Sequence, residues 1–112
     1  MKKKTNYQSP LTIEERAILP DLTKVIRTRS KLKKKITNLS LRRELRGKLV
    51  GGDVRRRIQL MIHELRVTGK VKGLLANGDG YYISRKEKEK SAYKASLRRR
   101  INSLKEVYQS IG

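Results

Sequence analysis

"GDVRRRIQLMIHELRVTGKVKGLLANGDGYYIS", residues Gly52–Ser84, changes its hydrophobic period part-way along. Before Gly69, Val54, Ile58, Met61, Ile62 and Leu65 recur at helical spacing. Asp53 suits the N-cap of that helix, and Gly69 suits the left-handed residue that ends it. Beyond Gly69, "KVKGLLA" and "YYIS" are short β-prone runs on either side of "NGDG", Asn77–Gly80. Asn and Gly tolerate positive φ, so this spacing predicts a hairpin. An amphipathic helix followed directly by a hairpin is the frame for the remainder of the chain.

Upstream, Leu41, Leu45 and Leu49 step by four and predict a short helix, preceded by a turn at "TNLS", Thr37–Ser40, and broken by Gly51-Gly52. Further upstream, "TIEE" fits a capping box with Thr12 at the N-cap and Glu15 at N3. Pro20 follows eight residues after Thr12, which predicts that this first helix stops there and a second begins at Pro20–Asp21. Leu22, Val25, Ile26, Leu32 and Ile36 carry that second helix onward, with Lys33-Lys34-Lys35 as its cationic end. Downstream, Ser84 with Glu87 offers another capping box, and no Gly or Pro interrupts residues 85–111, so one long helix is expected. Within it Leu97, Ile101, Leu104, Tyr108 and Ile111 alternate steps of four and three. That seam covers about two heptads, fewer than argue for a coiled coil. Packing back on the domain and pairing as a homodimer both stay open.

The expected organisation is a basic flexible arm over 1–10, a domain over 11–84 and a C-terminal helix over 85–112. The 112 residues suffice for one modest core, which must be aliphatic because Phe and Trp are absent. Thirty Lys and Arg against ten Asp and Glu give a formal net charge of +20, which attracts polyanions, nucleic acid first among them. With no cysteine there is neither a disulfide framework nor a thiolate metal site. No apolar run approaches a membrane span, and the basic start lacks the apolar stretch of a signal peptide, so a cytosol is the expected compartment.

The order helix, helix, helix, hairpin, long helix is that of a winged helix-turn-helix, mainly α with a small β-hairpin. "LRRELRGKL", "IHELRVTGKV", "GDGYYIS" and "AYKASLRRRINSL" stand in that order, and the segment they span, about Leu41–Ile111, resembles small winged-helix proteins of bacteriophages and other mobile elements. The first forty residues carry no such resemblance. The resemblance implies a regulator that binds specific duplex DNA in transcription, replication or recombination, in the host cytosol if phage-encoded.

On a helical wheel, Arg56, Gln59, Leu60 and His63 lie opposite the apolar face of the third helix, flanked by Arg55 and Arg66. A helix presented that way fits the major groove, where Arg reads guanine and Gln reads adenine bidentately. Arg56, Gln59 and His63 are therefore the candidates for base contact. Arg55, Arg57 and Arg66, with Lys70 and Lys72 beside the wing and Lys33, Lys34 and Lys35 upstream, are candidates for phosphate contact, which holds without reading sequence. The wing tip carries Asp79 and no cation, so it is poorly suited to a minor groove. Tyr81 and Tyr82 are expected to pack rather than to stack on bases. His63 has no second His or Cys to share a metal, and no nucleophile triad, paired acids or P-loop appears, so neither catalysis, cofactor nor small-molecule substrate is expected. An RNA- or ribosome-binding protein, and a winged-helix inhibitor of another nucleic-acid-binding protein, are the competing readings.

Overall fold

A computed structural model of the chain describes residues 9–111, so most of the expected basic arm, including Lys2-Lys3-Lys4, lies outside the described residues. The elements are α1 (Ile13–Lys31), α2 (Asn38–Glu44), α3 (Val54–Val67), β1 (Leu74–Asn77), β2 (Gly80–Ile83) and α4 (Glu87–Ile111). This is the winged helix-turn-helix order. The first three helices pack on one another around Leu22, Ile26, Leu41, Leu45, Ile58, Met61 and Leu65, all at 0–1% exposure. Burying each such side chain stabilises by roughly 1.5–3 kcal/mol.

The capping box at Thr12 forms: Thr12 Oγ1 accepts from the Glu15 amide at 3.1 Å, and Glu15 Oε1 accepts from the Thr12 amide at 2.9 Å. The helix it starts does not stop at Pro20. It runs unbroken to Lys31, which corrects the expected break. Pro20 removes one donor and costs about 3 kcal/mol in a helix interior. Buried Ile18, Leu19, Leu22 and Ile26 on both sides of it outweigh that cost, and Arg16 and Pro20 themselves face solvent, where water can reach the unpaired carbonyl.

The helix also ends earlier than its apolar spacing predicts. Lys33 adopts φ +57, the left-handed conformation that closes α1, so Lys33, Lys34 and Lys35 lie on the turn after the helix. Ile36 is no helical residue at all. It forms an antiparallel bridge to Tyr81, accepting from the Tyr81 amide at 2.8 Å, and is 3% exposed. Ile36 thus adds a third, one-residue strand to the β1–β2 hairpin, and Tyr81 packs on the core as expected. In α2, Thr37 caps the helix and Ser40 returns the bond. Leu45 and Leu49 lie past its end but are buried like Leu41.

The hairpin pairs Leu74 with Ile83 and Asn77 with Gly80, and Asn77 Oδ1 accepts from the Asp79 amide at 2.8 Å to shape the turn. A glycine is pressed to backbone at each end: a Cβ on Gly73 would meet the Ser84 carbonyl, and one on Gly80 would meet that of Ile36. Ser84 is buried and donates to Glu89, not to Glu87, before α4 begins. The first half of α4 lies against the domain through Lys90, Tyr93 and Leu97, all half-buried, whereas residues 98–111 are exposed throughout. The domain covers only the beginning of the helix.

Candidate nucleic-acid interface

Asp53 caps α3 by accepting from the Arg56 amide at 3.2 Å. The helix then buries Ile58, Met61, Ile62 and Leu65 against α1 and α2 and leaves Arg55, Arg56, Gln59 and His63 exposed. Those four side chains share one outward stripe, as the wheel predicts. Leu60 does not join them, since it leans inward and packs on the core.

Neighbouring elements surround the start of that stripe. Asn38 Nδ2 donates to the Arg55 carbonyl at 3.0 Å and ties the start of α2 to the first turn of α3. Gly80, at the wing tip, sits against Ile36 and Thr37, which brings the turn of the hairpin to the same end. The exposed Lys33, Lys34 and Lys35 precede Ile36 on a turn pinned by Arg29 Nε donating to the Lys35 carbonyl at 2.6 Å. The α3 N-terminus, the α2 N-terminus and the wing tip thus gather at one end of the domain.

Arg57 departs from its expected role. Its Nε donates to Glu15 at 2.6 Å, Nη2 to Glu14 at 2.5 Å, and Nη1 to the carbonyls of Val50 and Gly51 at 3.0 and 2.9 Å. This guanidinium fastens α3 to the start of α1 and to the α2–α3 loop, so it does not face a phosphate. Burial alone would raise the Glu15 carboxyl, but hydrogen bonds from Arg57 and the Thr12 backbone, with the charge of Arg57, hold it below the ordinary carboxylate value. The hydrogen bonds that Arg57 donates to Glu15 and Glu14 raise its own value.

The remaining candidate phosphate contacts also move. Arg66 turns to α4, donating to the Tyr93 hydroxyl at 2.8 Å with its guanidinium carbon 5.8 Å from the ring centroid. Lys70 and Lys72 precede β1 rather than lying along it, and line a groove of about 960 Å³ with Arg27, Lys31, Arg85 and Lys90. Arg27 is fixed there by donating to the Lys70 carbonyl at 3.0 Å. This groove runs along α1, away from the outward stripe of α3.

Arginines missed by the sequence reading stand closer to the stripe. Arg42, Arg43 and Arg46 line a shallow depression with Leu39 and Val54, beside the first turn of α3. Arg42 Nε is buried without a hydrogen-bond partner. The signal was in "LRRELR": the positions between the leucines of α2 are cationic, but the leucine stripe alone was read. Among the described residues no group of three His, Cys, Asp or Glu is placed to hold a metal ion, and no helix is long and apolar enough to cross a membrane.

Comparison with protein-family models, curated proteins and solved structures gives no match.

Proposed function

We propose that this chain is a sequence-specific duplex-DNA-binding protein of the winged-helix kind, acting in a cytosol as a phage or mobile-element regulator of transcription, replication or recombination. One observation carries the reading: α3 buries Ile58, Met61, Ile62 and Leu65 and holds Arg55, Arg56, Gln59 and His63 outward together. A helix about 10–12 Å across fits the major groove, where Arg and Gln each find a bidentate partner. Arg56 and Gln59 select bases, and His63 lies one turn further along the same line. Arg55, Lys33, Lys34 and Lys35, joined by Arg43 and Arg46 from α2, supply phosphate contacts whose strength falls steeply with salt.

Random-site selection on duplex DNA at moderate salt tests this. An enriched motif is the expected result; a flat selection, with binding to A-form RNA as strong as to duplex DNA, overturns it. On the enriched site, Arg56→Ala is expected to weaken binding about tenfold or more while changing affinity for unrelated duplex far less. An equal loss on both, measured by fluorescence anisotropy, removes Arg56 as a base reader.

A further inference from the structure

The outer half of α4 presents an apolar seam to solvent. Ile101, Leu104, Tyr108 and Ile111 are 56–81% exposed. They continue Leu97 in alternating steps of four and three, the a and d positions of a heptad. Val107, 56% exposed, borders the seam at a g position, and the stripe so formed suits the knobs-into-holes packing of one more helix.

Charge decides which helix. With Leu97, Leu104 and Ile111 at d and Ile101 and Tyr108 at a, Arg98 and Lys105 fall at e and Arg100 at g, while Glu106 falls on the outer face. A second copy in parallel would set Arg100 against Lys105 of its twin. In antiparallel pairing Lys105 would face either itself or Arg98. Both orientations place cation against cation with no carboxylate at the flanks, between chains that each carry +20. A helix with carboxylates at those flanking positions reverses every one of these pairs.

We infer that residues 97–111 of α4 form a docking surface for an acidic amphipathic helix of a protein partner. The seam supplies burial, and Arg98, Arg100 and Lys105 supply orientation and selectivity. The inference does not depend on the DNA-binding reading, since it uses none of the α3 residues.

The test uses the full chain and three-heptad synthetic peptides with leucine at a and d. One carries Glu at e and g, one carries Lys there, and one has the Glu peptide's composition with its leucines out of register. Calorimetry is expected to show the Glu peptide binding at least tenfold more tightly than either of the others. Leu104→Gln should weaken it about tenfold, and the triple change R98E/R100E/K105E should shift preference to the Lys peptide. Because residues 98–111 are exposed throughout, both variants should keep the parent's thermal midpoint, which verifies that the domain is intact. Equal binding of the in-register and out-of-register peptides, or no effect of Leu104→Gln, overturns the proposal. So does a concentration-dependent dimer in sedimentation that Leu104→Gln abolishes, which assigns the seam to a second copy. Binding to phosphatidylglycerol vesicles without a preference among the peptides also overturns it.

Discussion

Arg57→Ala is expected to lower the free energy of unfolding by about 3–5 kcal/mol, the loss typical when one partner of a buried ion pair is removed. Glu15 is 3% exposed, so without the guanidinium its carboxylate stays out of water with only the Thr12 amide to satisfy it. The α2–α3 loop loses its tie at the same stroke, because the Val50 and Gly51 carbonyls accept from the same side chain. Arg57→Lys should recover less than half of the loss, since an ammonium cannot reach acceptors spread along a guanidinium edge. Urea unfolding followed by circular dichroism at neutral pH measures both; a change under 1 kcal/mol for the alanine variant would deny the network its role. The pH dependence follows from the lowered Glu15 carboxyl. A depressed folded value means the stabilisation is fully present above the unfolded value of about 4.3 and disappears as pH falls through the folded value. The gap between parent and Arg57→Ala should therefore be greatest at neutral pH and narrow as acid protonates Glu15, starting in the variant, where burial without the guanidinium raises that carboxyl.

Gly80→Ala should cost about 2–4 kcal/mol and act on the wing. Gly80 has φ +140, a conformation open to few residues but glycine, and an added Cβ would meet the Ile36 carbonyl. Both partners are backbone, so no rotamer change relieves the contact. The strand must move, and the 2.8 Å bond from the Tyr81 amide to Ile36 goes with it. Gly78→Ala, two residues away with nothing within 4 Å, serves as the matched control and should change stability little. Denaturation midpoints and hydrogen exchange at the Tyr81 amide distinguish the two; equal effects would mean that the Ile36–Tyr81 bridge does not anchor the wing.

The helix and hairpin of residues 52–84 were legible because period, caps and turn residues agree there. Asp53 and Gly69 bracket α3, and "NGDG" forms the turn between β1 and β2. The outward face of α3 followed from the same periodicity. What escaped the sequence depends on distant partners. Arg57 falls between Glu64 and Met61 on the flank of α3, and its partners Glu14 and Glu15 stand more than forty residues earlier, beyond what periodicity can show. Pro20 signals an end wherever local cost decides, yet here the burial of Ile18, Leu19, Leu22 and Ile26 decides. Ile36 sits at a helical step from Leu32, and its strand role exists only because β2 runs alongside it. Arg66 flanks the outward face on the wheel, and only the position of Tyr93, 27 residues on, turns it to α4.

The left-handed Lys33 ties folding and charge in opposite directions. A residue with a β-carbon sits there at a penalty of about 1 kcal/mol, whereas asparagine is more at ease in this region. Lys33→Asn should thus raise the melting temperature slightly while removing one cation from the turn beside the wing. If the chain binds DNA as proposed, thermal tolerance and hold on the phosphates would trade against each other at a single position, so a variant chosen for heat resistance alone should bind more weakly.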